Sequence, residues 1–87
     1  MIELGILADD LTGGMMVASL LEREGVNCPL VTSGEELESV ANSKATAVVV
    51  ARKIRLIPAE DSRKEAIKTV QALNSVGCKR FYYKYCA

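Results

Sequence analysis

Apolar residues recur along the chain in two different periods, and the alternation between them sets out the fold. Ile2 to Ala8 is a short aliphatic run that stops at Asp9-Asp10, the pattern of a buried strand. Leu11-Thr12-Gly13-Gly14 predicts a turn, and a helix is expected from about Gly14 to Glu24. Val17, Ala18, Leu20 and Leu21 form its apolar face, and Gly25 is its stop. Asn27 to Val31 reads as a second strand, placed at an edge by Pro29. Ser33 and Glu36 have the spacing of a capping box and predict a short helix through about Val40. Ala45 to Ala51 is the strongest strand, because Val48-Val49-Val50 suits burial on both faces. Arg52 to Ile57 is a basic loop. Pro58 is expected at the first position of a third helix, whose first turn carries Glu60 and Asp61. Ala66, Ile67, Val70, Leu73 and Val76 give that helix a stripe, and Gly77 ends it. Lys79 to Cys86 predicts a fourth strand containing Phe81, Tyr82, Tyr83 and Tyr85.

The resulting order, βαβαβαβ, predicts an α/β fold: a parallel sheet between helical layers, of the Rossmann or flavodoxin type, with right-handed crossovers. A strand order of 2-1-3-4 is expected. The fourth strand would then be an open edge rich in aromatics. Residues 1–87 are therefore read as an N-terminal domain truncated at the end of its fourth strand, part of a longer protein.

Composition narrows the function. Of the 87 residues, 49% are apolar, and eleven basic residues balance eleven acidic ones. This excludes disorder and argues against nucleic acid or a membrane surface as a partner. With no His, the chain can build neither a Ser-His-Asp triad nor a His-ligated metal site. Cys28, Cys78 and Cys86 are odd in number and form no Cys-x-x-Cys pair, so neither a disulfide framework nor a zinc site is expected. Reduced thiols fit a cytoplasmic protein. No run approaches the roughly 20 apolar residues of a membrane span.

In open α/β sheets, ligands bind at the carboxyl ends of the strands. There the sequence places Asp9, Asp10, Thr12, Gly13 and Gly14 after the first strand, and Arg52, Lys53 and Arg55 after the third. Lys84, Tyr85 and Cys86 stand at the end of the fourth. Carboxylates accept hydrogen bonds from hydroxyls, and Arg and Lys hold a carboxylate or phosphate. A helix starting after Gly14 would add partial positive charge and N–H donors. The set suits a small, anionic, polyhydroxylated ligand. Each cluster also has an ordinary reading: a charged loop is most often solvated surface, Asp9 or Asp10 can be a helix cap, and Arg55 can pair with Glu60 or Asp61. Position excludes two phosphoryl chemistries. A phosphoacceptor receiver needs Asp where Ala51-Arg52-Lys53 stands, and a dehalogenase-type phosphatase needs its nucleophilic Asp at Ala8. Neither a GxxxxGK[ST] loop nor GxGxxG is present.

Three ordered segments resemble the four-carbon acid sugar kinases. Ala8-Asp9-Asp10-Leu11-Thr12-Gly13 looks like that family's N-terminal signature. Val48 to Pro58 resembles its strand followed by Lys-x-Arg-x-x-Pro, and Phe81 to Cys86 resembles its Lys-x-Cys-Ser strand end. The resemblance implies a kinase that uses ATP and Mg²⁺, with the sugar acid on this domain and the nucleotide on a C-terminal domain. It implies Asp9 and Asp10 near the sugar hydroxyls, with Asp10 also the candidate proton acceptor. It implies Arg55 on the substrate carboxylate, and Lys84, Tyr85 and Cys86 lining the pocket. Met16 and Ala87 depart from the family's Asp and Ser. The competing expectation is a free-standing small-anion-binding module or a non-catalytic remnant. Met15 and Met16 are expected in the core or pocket wall, Tyr82, Tyr83 and Tyr85 against segments outside the chain, and Cys28 and Cys78 buried and inert.

Overall fold

A computed structural model describes residues 2–41, 44–53 and 57–84. Four strands and three helices follow one another: β1 (Leu4–Ala8), α1 (Leu11–Arg23), β2 (Leu30–Val31), a 3₁₀ turn (Gly34–Glu36) running into α2 (Leu37–Ala41), β3 (Ala47–Ala51), α3 (Ala59–Ser75) and β4 (Arg80–Lys84). The α/β reading holds: all strand pairs are parallel, with helices between them.

The sheet order is β2-β3-β1-β4, not 2-1-3-4. β1 and β3, the two most buried strands, do occupy the centre, but in exchanged places. Connection length gives the reason. The short α2 joins neighbours β2 and β3, one strand spacing of about 5 Å apart. The 13-residue α1 and the 17-residue α3 each step over an intervening strand. β2 is shorter than expected, and Pro29 explains it. Its carbonyl accepts from Val49 N at 3.0 Å, but its ring nitrogen has no proton for the companion bond to β3. β4 is an edge, as predicted; residues 85 and 86 of the expected strand lie outside the described residues.

The two sheet faces carry separate cores. Ile6, Ala8, Ala47, Val49 and Ala51 meet Val17, Ala18 and Leu21 of α1 on one face. Val48, Val50 and Val31 meet Leu37 of α2 and Leu73 of α3 on the other. Both long helices end alike. Gly25 (φ 86°) and Gly77 (φ 96°) take the left-handed conformation that glycine adopts without strain. The next residues reach back, Val26 N to Leu21 O at 2.9 Å and Cys78 N to Leu73 O at 3.2 Å, and each pair also packs in its core.

Several local expectations change. α1 begins at Leu11, so the predicted Leu11–Gly14 turn is its first turn. Pro58 is the residue before α3 rather than its first residue. The inward side of α3 carries Glu65, Thr69, Leu73 and Val76, whereas Ile67 and Val70 are 46% and 40% exposed. The stripe is thus rotated from the predicted one, because α3 packs over β1 and the 3₁₀ turn rather than over the open edge. Met15 and Met16 are 55% and 54% exposed, not core, since α1 turns Gly14, Val17, Ala18 and Leu21 inward instead. Cys28 and Cys78 are buried, as expected.

Candidate functional site

The carboxyl ends of β3, β1 and β4 form one rim. Ala8 stands in register with Ala51 on one side and with Lys84 on the other. Arg52 N donates to Ala8 O at 2.9 Å, and Asp9 N donates to Lys84 O at 3.4 Å. The exchanged strand order puts the acidic pair in the middle: Asp9 and Asp10 leave β1 between Arg52-Lys53 of β3 and Lys84 of β4. From β1 the chain turns onto one face as α1, and from β3 onto the other as α3. The rim between them is the point where a doubly wound sheet opens a crevice.

Asp9 is 2% exposed, a carboxylate at the very end of a core strand. Asp10 is half-buried, has extended backbone (φ −151°, ψ 167°) and caps α1: Gly13 N donates to its Oδ1 at 2.7 Å. The capping alternative raised for this pair therefore describes Asp10. The cap takes up the Gly13 N–H, one of the donors at the start of α1. The glycines have a packing role. A Cβ on Gly14 would lie 2.9 Å from Ala51 Cβ and 3.3 Å from Ala8 Cβ. Only a bare backbone lets the first turn of α1 press onto the ends of β1 and β3, which holds Asp10 against the rim.

On the β3 side lies a cleft of about 370 Å³, bounded by Leu11, Thr32, Arg52, Lys53, Ile57 and Glu65, with Ala51 at its base. This is within the roughly 300–1,000 Å³ range of small-molecule sites. Lys53 is exposed at its margin. Arg52 lines it. Its Nη1 donates to Thr32 O at 3.0 Å, and its Nη2 donates to Glu65 Oε2 at 2.7 Å. Its Nε is buried with no acceptor among the described residues. The guanidinium thus ties the end of β2 and the first half of α3 to the end of β3. Sequence reasoning placed Arg52 on the rim but missed this tie. The available signal was Glu65 four residues before the buried Thr69: a carboxylate on an inward helical stripe calls for a cationic partner.

Of the residues expected to form the site, Asp9 and Asp10 follow β1 next to Lys84 at the end of β4, and Lys53 lines the cleft beside β3. Arg55, Tyr85 and Cys86 lie outside the described residues, so the expected pairing of Arg55 with Glu60 or Asp61 does too. Ser33 and Glu36 do interact (Ser33 Oγ to Glu36 Oε1, 3.4 Å), but Thr32 Oγ1 makes the shorter bond at 2.8 Å. Among the described residues no group of three His, Cys, Asp or Glu is placed to hold a metal ion, and no helix is long and apolar enough to cross a membrane. Burial, with Glu22 second, pushes the Cys28 thiol up to about 11, and burial also raises Cys78. Neither thiol is activated.

Comparison with known proteins identifies the family. The sequence profile of a family described as the sugar-binding N-terminal domain matches residues 4–87. A 3-oxo-tetronate kinase of Burkholderia multivorans is 39% identical over 84 residues, which cover 97% of this chain and 19% of that protein. Proteins of the same name from Haemophilus influenzae (36% identical, 97% of this chain) and Salmonella typhimurium (32% identical, all of this chain) are each matched over 20% of their length. The chain thus spans about a fifth of these curated relatives. The resemblance read from the three strand-end segments is upheld, and the chain belongs to the sugar-binding N-terminal domain family found at the start of 3-oxo-tetronate kinases.

Proposed function

We propose that this chain is the substrate side of an ATP-dependent kinase that phosphorylates a four-carbon sugar acid of the threonate, erythronate or 3-oxo-tetronate type. One observation carries the reading: the β3-β1-β4 register sets the acidic pair Asp9-Asp10 between cationic strand ends, in a chain of a sugar-binding family. Carboxylates in the middle of the rim accept from sugar hydroxyls. Cations on either side, Lys53 and Lys84, hold the acid group, and Arg55, two residues after Lys53 in the sequence, is assigned to the same group by the family resemblance. Tyr85 and Cys86, which follow Lys84 in the sequence, are assigned to the substrate by the family resemblance. Asp10 is assigned chiefly to holding a hydroxyl, because its carboxylate is anchored by the α1 cap; in that position it can also orient the hydroxyl proton. ATP with Mg²⁺ supplies the transferred phosphoryl group and is assigned to a C-terminal domain of the longer protein, in keeping with a cytoplasmic metabolic enzyme.

The test has two parts. The chain is titrated calorimetrically with threonate, erythronate and 3-oxo-tetronate, without nucleotide. Residues 4–87 are also placed in the Haemophilus influenzae kinase in exchange for its matching segment, and phosphorylation is measured. Asp10→Asn keeps the cap to within a few tenths of a kcal/mol, so the chimera should stay folded and lose at least tenfold in kcat/KM. Unchanged kcat/KM in Asp10→Asn, together with no sugar-acid binding by the chain, refutes the assignment. Binding by the chain with no phosphorylation by a folded chimera would favour the anion-binding module.

A further inference from the structure

The cleft at the end of β3 joins the two faces of the sheet. Leu11 opens α1 on one face, Glu65 stands on α3 on the other, and both line it. A second cleft, about 440 Å³, lies on the α3 side and is bounded by Ser33, Lys68 and Thr69. The two clefts share Arg52 and Glu65. The ion pair is therefore a partition between them, and the Glu65 carboxylate belongs to the wall of both.

Strand alternation brings the pair together. Val50 packs in the core on the α3 face and Ala51 in the core on the α1 face. Arg52, next along, returns to the α3 face. Its backbone N–H is held by Ala8 O at 2.9 Å, and its Nη1 is held by Thr32 O at 3.0 Å. The guanidinium is thus fixed before it meets Glu65. Glu65 Oε2 accepts from Arg52 Nη2 at 2.7 Å. Glu65 Oε1 has no hydrogen-bond donor among the described residues, and the side chain is 32% exposed. One oxygen of the carboxylate is oriented by Arg52, and the second faces no protein partner. A part-exposed ion pair adds little stability, so stapling the fold does not by itself account for a carboxylate in this wall.

We propose that Glu65 is a further binding residue of the substrate site, accepting a hydroxyl of the sugar acid at Oε1, and that Arg52 is the positioning residue that orients it. The charges of the cleft agree. Its lining carries two cations, Arg52 and Lys53, and one anion, Glu65. Pairing Arg52 with Glu65 leaves the positive charge of Lys53, which suits a ligand with a single carboxylate. The same pairing lets Glu65 accept a hydroxyl proton without repelling that ligand. Asp10 gives one oxygen to the α1 cap, so a ligand with several hydroxyls gains from another acceptor. The inference deepens the substrate-side reading proposed above and rests on it; its test compares hydroxyls, so that the two can fail separately.

The chain is titrated calorimetrically with threonate and with the dihydroxybutanoates that each lack one of its hydroxyls. The same acids are tested as substrate and as competitive inhibitors of the Haemophilus influenzae chimera, which gives a reading where the chain binds weakly. Glu65→Gln keeps an oxygen for Arg52 but puts an amide where the second acceptor stood. It should weaken threonate by at least about tenfold, yet leave the dihydroxybutanoate that lacks the held hydroxyl within about twofold of wild type. Arg52→Lys should weaken threonate with the same hydroxyl dependence and add nothing in the Glu65→Gln background. Equal losses for every acid would reduce the pair to a structural staple and overturn the proposal, as would no loss at all. Additive losses in the double variant would overturn the positioning role of Arg52. Loss in Asp10→Asn without loss in Glu65→Gln overturns this inference alone. A wild-type chain that binds none of the acids, beside a chimera that phosphorylates none, overturns it together with the reading beneath it.

Discussion

Gly14→Ala is the most direct probe of how the rim is held. The new methyl would sit 2.9 Å from Ala51 Cβ, 3.2 Å from Val49 Cγ1 and 3.3 Å from Ala8 Cβ, all closer than the ordinary 3.4–4 Å contact. Two of these neighbours are Cβ atoms on the central strands, so no rotamer change can move them. Relief requires the first turn of α1 to lift away from the sheet. Overpacking of this kind costs about 1–3 kcal/mol. Alanine returns up to about 1 kcal/mol of helix propensity relative to glycine. The net expectation is a loss of about 1–2 kcal/mol, read by urea unfolding of the chain followed by far-UV circular dichroism. Ala51→Gly removes the nearest atom, so the double mutant should show a favourable coupling of about 1 kcal/mol in a double-mutant cycle. A Gly14→Ala chain as stable as the wild type, or a cycle without coupling, would refute the close-approach reading and with it the account of how Asp10 is pressed to the rim.

Three further outcomes follow from the same geometry. Asp10→Ala removes the acceptor of the Gly13 N–H and should cost about 1 kcal/mol in urea unfolding, whereas Asp10→Asn should cost a few tenths; equal losses would disprove the capping role. Arg52→Ala should cost more than Glu65→Ala, about 1–2 against at most about 1 kcal/mol, because Arg52 also bonds Thr32 O and packs its stem while the ion pair is part-exposed; the reverse ranking would contradict the tie. Burial raises the Cys28 thiol from an ordinary 9.0 to about 11 in the folded chain. Its stabilising contribution is therefore complete below about pH 9 and is lost as pH rises toward 11, by at most about 2–3 kcal/mol; Cys28→Ala should flatten that part of the stability–pH curve, and an unchanged slope would show that other groups carry it.

Much of the fold was legible because each element depends on its own few residues. The five buried residues of β3, the glycines at 25 and 77 and the acidic first turn of α3 act locally, and a linear reading finds them. The rim was legible for the same reason: a parallel sheet sends every strand's carboxyl end to one side, so Asp9, Asp10, Lys53 and Lys84 could be collected before their neighbours were known. The errors came from long-range choices. Glu65 became the partner of Arg52 only once α3 lay beside the end of β3. Met15 and Met16 are expected in the core or pocket wall, yet the small face of α1 is what approaches the sheet closely.

The sequence by itself thus determined the alternation of strands and helices, the family and the chemical character of the strand ends. The tertiary structure alone decided that β1, not β3, lies between the other two rim strands, so that the acidic pair leaves the sheet between the strand ends followed by Lys53 and ending at Lys84. It also decided that Asp10 spends part of its carboxylate on a helix cap. The physical reason is that strand order depends on which crossovers are long enough to step over a neighbour, a property of the assembled sheet that no single segment encodes.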